Sequence, residues 1–207
     1  KFFTCWGNYS SDAVAYYKAD GYVVSKYSGG AGNGFQAYSN GRVYDSFAQY
    51  VRAWEVDSLG WSVVYEQNVA GLWMCPPSLF DTTDGEMMIF GSRDPNVGIF
   101  AVKVDTGSGW SVQWNNTTAG VAVENSCAID STNNAYFGGY ASGLPVVMSI
   151  DAVTGELNWK TFLDSNSGSA TRGTPALSYD QKTLYVQTVG QDAATGQLVA
   201  INTADGT

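Results

Sequence analysis

A chain of 207 residues is long enough for one sizeable core, and its net charge of −9 with no histidine excludes several functions at once. Its ten basic residues are scattered singly and cannot neutralise a phosphate track, so nucleic acid is not an expected partner and an anionic membrane surface repels the chain. Without histidine there is no Ser-His-Asp or Cys-His catalysis, and the commonest zinc ligand is missing.

The chain contains 24 glycines and 14% aromatic residues, a mixture that suits short pleated strands joined by tight turns. No apolar run reaches the roughly 18 residues a membrane-crossing helix needs, so membrane insertion is not expected. The chain begins at Lys1 with no signal-like apolar segment, which reads as a removed leader or as part of a longer chain.

In chain order, Phe2-Phe-Thr-Cys-Trp6, Ala13-Val-Ala-Tyr-Tyr17 and Tyr22-Val-Val-Ser-Lys-Tyr27 read as three strands of a first unit. Next come Phe35-Gln-Ala-Tyr38, the turn Ser39-Asn-Gly41, Arg42-Val-Tyr-Asp-Ser-Phe47, Arg52-Ala-Trp-Glu-Val-Asp57 and Trp61-Ser-Val-Val-Tyr65. The same order recurs as Ser78-Leu-Phe80, Asp81-Thr-Thr-Asp-Gly85, Met87-Met-Ile-Phe-Gly-Ser92, Ala101-Val-Lys-Val-Asp105 and Trp110-Ser-Val-Gln-Trp114. It recurs again as Cys127-Ala-Ile129, a turn over 130–134, Ala135-Tyr-Phe-Gly-Gly-Tyr140, Val147-Met-Ser-Ile-Asp151 and Glu156-Leu-Asn-Trp159. A last unit holds Pro175-Ala-Leu177, Leu184-Tyr-Val-Gln-Thr-Val189 and Leu198-Val-Ala-Ile-Asn202.

The third strands end at positions 57, 105, 151 and 202, steps of 48, 46 and 51 residues. Asn-Gly and Asp-Gly favour tight hairpins, because both residues tolerate left-handed backbone geometry. Four short strands per unit at this period predict an all-β propeller of four-stranded antiparallel blades. About five repeats are expected, three full and two partial, over residues 1–27, 33–67, 76–116, 126–162 and 174–207, as one propeller domain or a fragment of one.

The stretch Ser149-Ile-Asp-Ala-Val-Thr-Gly-Glu-Leu-Asn-Trp159 resembles the tryptophan-docking motif of pyrroloquinoline-quinone (PQQ) type repeats. The resemblance covers about 170 residues; Tyr65 replaces the tryptophan in the second unit and Tyr27 stands there in the first. It implies a girdle in which the Trp of one blade meets the turn of the next, here Trp114, Trp159 and Tyr65 with the Thr154-Gly155 turn. Rings of this family usually have seven or eight blades, so the resemblance also implies an incomplete chain or an assembly that covers open propeller edges.

Other residues admit two readings each. Tyr65, Trp114 and Trp159 could form a ligand platform, but repetition favours the girdle. Asp57, Asp105 and Asp151 share one repeat position, and a carboxylate capping the following turn explains them better than a row of metal ions. Asp81, Asp84 and Glu86 could offer oxygens to Ca²⁺, yet they lack EF-hand spacing and fall where other units have a hairpin. Cys75 and Cys127 flank the first strands of adjacent units, so a disulfide is conceivable, leaving Cys5 unbonded or paired elsewhere. No two cysteines are consecutive, so the vicinal disulfide of PQQ alcohol dehydrogenases has no counterpart. Asn8, Asn115 and Asn116 begin glycosylation triplets and point to a secreted or cell-surface protein.

The expectation is a non-catalytic propeller, a scaffold or interaction module for other protein chains or glycans in an extracellular or envelope assembly. The resemblance keeps an enzyme in view, part of a PQQ-dependent dehydrogenase with calcium, although none of that site aligns onto residues here. A carbohydrate-binding propeller using Trp and Tyr faces is the remaining alternative. No cofactor is expected under the first reading.

Overall fold

The computed structural model describes residues 2–5, 12–16, 23–28, 37–47, 49–57, 60–69, 75–105, 109–163, 170–189 and 196–207, with the backbone alone for the first three strands and for residues 47, 56, 57, 60, 61, 105 and 109. Every regular element among them is a strand. The first sheet holds β1 (Phe2–Cys5), β2 (Asp12–Tyr16) and β3 (Val23–Ser28). The second holds β4 (Ala37–Ser39), β5 (Arg42–Phe47), β6 (Tyr50–Asp57) and β7 (Gly60–Asn68). The third holds β8 (Ser78–Thr82), β9 (Gly85–Gly91), β10 (Ile99–Asp105) and β11 (Gly109–Asn116). The fourth holds β12 (Ala128–Ile129), β13 (Asn134–Ala141), β14 (Leu144–Asp151) and β15 (Leu157–Phe162). In the fifth, β17 (Ala176–Leu177), β18 (Thr183–Val189) and β19 (Leu198–Asn202) pair in order, and β16 (Ala170–Thr171) joins the far end of β18.

All pairings are antiparallel between consecutive strands, except that β16 skips to β18. The chain is a β-propeller of four-stranded blades: among the described residues one sheet has three strands and four have four, the fifth by pairing both β16 and β17 with β18.

Alternation explains why the middle strands are apolar throughout. In β9, Met87 and Ile89 join Phe137, Met148 and Ile150 of the fourth sheet in one core. Their neighbours Met88 and Phe90 point the other way, to Tyr44, Val51 and Ala53 of the second sheet. In β13, Phe137 faces the third sheet while Tyr136 faces Leu184, Val186 and Ile201 of the fifth. A strand covered on both faces has no polar side, so the period of two appears as a choice of neighbour rather than as core against water. Each such side chain contributes about 1.5–3 kcal/mol of transfer free energy when fully buried.

One irregularity repeats. Where the third strand pairs with the fourth, the register slips at Ala53/Trp54, Ala101/Val102 and Ser149/Ile150, and at Ala15/Tyr16 in the first sheet. The partners on either side show one extra residue each time: Val64, Gln113 and Asn158, and Val24 in the first sheet. In the second, third and fourth sheets the next residue is the aromatic, Tyr65, Trp114 or Trp159. A bulge bends its strand and re-aims the adjoining side chain, and here it turns the aromatic towards the neighbouring sheet. In the first sheet the same register places Ser25, not Tyr27, at this position, so the sequence alignment there was two residues out.

Candidate functional site

Two polar assemblies stand out among the described residues: the aromatic contacts at the turns of β14 and β19, and an ion cluster at the opposite strand ends. The first begins with Asp151. Its Oδ1 accepts the backbone N–H groups of Val153 and Thr154 at 2.8 and 2.9 Å, and its carbonyl accepts that of Gly155 at 2.8 Å. The turn closes with Gly155 at φ +79°, a conformation that costs a residue with a Cβ about 1–2 kcal/mol. The Trp114 ring lies on Gly155 so closely that a Cβ there would sit 2.5 Å from Cδ2. The indole N–H of Trp114 donates to the Ala152 carbonyl at 3.1 Å.

The arrangement repeats one sheet on. Asn202 Oδ1 accepts the Ala204 N–H, the Asn202 carbonyl accepts that of Gly206 (φ +76°), and Trp159 donates to the Thr203 carbonyl at 2.9 Å. A Cβ on Gly206 would sit 2.6 Å from the Trp159 ring. Tyr65 instead meets a ring, packing at a tilt on Trp110 of the third sheet with 4.2 Å between centroids. Asp57 and Asp105 end β6 and β10 at the equivalent point, but their side chains lie outside the described residues.

The second assembly gathers where one sheet hands over to the next. Glu124, in the crossover from β11 to β12, has a side chain only 5% exposed. Arg93 from the β9–β10 loop places Nε 2.7 Å from its Oε1, and Arg172, just after β16, places Nε 2.9 Å from its Oε2. The two arginine side chains are themselves 45% and 54% exposed. Arg93 Nε also lies 3.4 Å from the Tyr140 hydroxyl, and that bond together with the Glu124 charge holds the guanidinium further into its protonated range.

Beside Glu124, Asn125 is buried; its Nδ2 donates to the Thr171 carbonyl at 3.1 Å while its Oδ1 has no partner. Gly138 and Gly139 of β13 let these crossovers press in, since a Cβ on Gly139 would strike the Ala122 carbonyl and one on Gly138 the Thr171 side chain. The equivalent positions before the first strands of three consecutive sheets are Cys75, Glu124 and Arg172. This cluster was not anticipated from the sequence. Its trace there is a lone charge at one repeat position, in Val121-Ala-Val-Glu-Asn125 and Ser169-Ala-Thr-Arg-Gly173.

The expected disulfide is not formed. Cys75 and Cys127 are two buried thiols, not a disulfide, because they point into different cores. Cys75 Sγ donates to the Val123 carbonyl at 2.8 Å; burial and then the Glu124 charge push its pKa up, and burial pushes Cys127 up to about 12. Neither is a ready nucleophile. Asn116 is buried, its Nδ2 donating to the Gly155 carbonyl at 2.7 Å while its Oδ1 accepts from Thr118 and Ala119, so its side chain is engaged inside the fold. Asn115 is exposed, and Asn8 lies outside the described residues. Asp81, Asp84 and Glu86 form the β8–β9 hairpin, in which Thr82 Oγ1 accepts the Asp84 N–H and donates to the Gly85 carbonyl. Among the described residues no three Asp, Glu, Cys or His side chains are close enough to share a metal ion.

No protein-family model matches the chain, and no curated protein matches it in sequence. Solved structures do match in fold. The Dos1 propeller superposes with a TM-score of 0.66 at 12% identity, over 97% of this chain and 52% of that one. The quinohemoprotein alcohol dehydrogenase of Comamonas testosteroni gives 0.60 at 14%, over 86% of this chain and 34% of its own. A europium-containing methanol dehydrogenase gives 0.60 at 13%, over 86% and 41%. The chain thus spans about a third to a half of these proteins, and at such identities the likeness is one of fold.

Proposed function

We propose that this chain is part of a PQQ-like β-propeller that works as a rigid, non-catalytic scaffold or protein-interaction module in an extracellular or envelope assembly. The observation that carries the reading is the latch from sheet to sheet, Trp114 on Gly155 and Trp159 on Gly206, each with an indole hydrogen bond to the adjoining turn. Near the strand starts a second set ties sheets together: Ser78 Oγ donates to the Cys127 carbonyl, Ser126 Oγ to that of Pro76 and Asn125 Nδ2 to that of Thr171. Such bonds fix neighbouring blades and leave the outer loops free to vary, which suits a platform for recognition.

Glu124 supports the same reading. Both its oxygens are paired with arginines, so it is not poised as a base, and the two guanidinium charges beside it repel a metal ion. A calcium-bound quinone, as in the dehydrogenases that the repeats resemble, therefore does not fit this cluster.

The test is the mass of the native protein and its assembly, before and after enzymatic deglycosylation, with an absorbance scan. The reading predicts partner chains in the native particle, glycan on Asn115 and none on Asn116. Quinone-like absorbance that stays with the purified chain would contradict it.

A further inference from the structure

We propose that Arg93 and Arg172 form a receptor for one isolated carboxylate, supplied by an acidic side chain of a partner polypeptide. The inference rests on the interaction-module reading and adds where the partner is held and by what chemistry.

Each arginine has Nε against one oxygen of Glu124 as an ion pair, while the Arg93 Nε–H is donated to the Tyr140 hydroxyl and Glu124 Oε1 is left without a hydrogen bond. Four Nη hydrogens per guanidinium remain, on side chains that are 45% and 54% exposed. A buried carboxylate needs one cation to balance it; this one has two, so the triad keeps one net positive charge on a chain whose total is −9. The fork of a guanidinium matches a planar carboxylate in two parallel bonds, and charge assistance makes these among the stronger hydrogen bonds.

Glu124 also fixes the receptor in place. Its ion pairs and the Tyr140 hydroxyl orient the guanidinium groups before anything binds, which lowers the ordering cost of binding. The acidic neighbour Asp94 is turned back on its own loop, with Oδ1 accepting the Asn96 N–H and Nδ2 groups, and so leaves the arginines open.

The surrounding charge selects the occupant. A polyanion such as a polyuronate or a nucleic acid would gain at this one spot and be repelled everywhere else. A single carboxylate on a weakly charged polypeptide is drawn by the charge of the triad and avoids most of that repulsion.

The test is a calorimetric titration of the protein with a blocked, otherwise uncharged peptide carrying one Glu. Parallel titrations use the Gln version of the peptide, free malonate and polygalacturonate. Saturable binding of the Glu peptide, weaker binding of malonate and none of the Gln peptide is the expected result. Arg93→Gln and Arg172→Gln should each weaken the Glu peptide by about tenfold or more. Arg172→Lys keeps a charge against Glu124, and so keeps the fold, but loses the fork and should bind the peptide as weakly as the Gln variant. Equal binding of the Glu and Gln peptides, tighter binding of malonate or polygalacturonate than of the peptide, or native affinity in Arg172→Lys would each overturn the proposal. A failure here leaves the module reading standing, because native mass tests that separately.

Discussion

The third and fourth sheets differ from the fifth in how their strands are covered among the described residues. Along β9, Met87 to Gly91 are all buried, because one set of side chains faces the second sheet and the other faces the fourth. Along β18 burial alternates: Leu184, Val186 and Thr188 are inside, while Tyr185, Gln187 and Val189 are exposed. The sequences differ in step, Met-Met-Ile-Phe against Leu-Tyr-Val-Gln-Thr-Val. A continuous apolar run accompanies a blade covered on both faces, and alternation accompanies a strand with one face covered among the described residues.

The contrast should be sharpest in the cores. Phe137→Ala removes a fully buried ring from the interface of the third and fourth sheets and should cost about 3–5 kcal/mol in denaturant unfolding. Tyr185→Ala, on the open face of β18, should stay within about 0.5 kcal/mol. Equal losses would mean that the two sheets are covered alike.

The latch predicts the next effect. Gly155→Ala adds left-handed strain and drives a methyl into the Trp114 ring, so a loss of about 2–4 kcal/mol and a shift in tryptophan emission are expected. Gly143→Ala has the same backbone sign (φ +76°) but open space around it, and should cost only about 1–2 kcal/mol with no change in emission.

A smaller, pH-dependent effect comes from β5. Asp45 is buried, and burial pushes its pKa up to about 6, against the pull of the Trp54 indole and the Arg52 charge and with Glu66 adding to the rise. The folded state therefore holds this proton more tightly than the unfolded chain, whose value is near 4. Its contribution is fully present below about pH 4 and is lost as the pH rises through about 6. Asp45→Asn should remove that slope and raise stability at pH 7 by up to about 3 kcal/mol, read from unfolding curves at pH 4 and pH 7.

The fold was legible because its signals are local and repeated: Asn40-Gly41 and Asp84-Gly85 make their hairpins, and the Asp151 and Asn202 positions cap their turns. The aromatic positions Trp114 and Trp159 could be read from their spacing, while Tyr27 misled because the bulge that sets the true position cannot be seen in composition. The ion cluster was not read at all. Its three charges come from the β9–β10 loop and two crossovers, 31 and 48 residues apart in sequence (93 to 124, 124 to 172), and only the stacking of blades brings them together. The burial of Asn116 was hidden for a related reason, since a three-residue pattern carries no record of the Gly155 carbonyl that engages the side chain.

Amide hydrogen exchange, resolved strand by strand under native conditions, tests most directly that these sheets are stacked face to face. Strand β14 lies between two strands and under two covered faces, while β19 has one described neighbour, β18, and exposed residues such as Leu198. The stacked propeller predicts that β13 and β14 exchange slowest, by orders of magnitude relative to β19. Exchange of β14 as fast as β19 would contradict it.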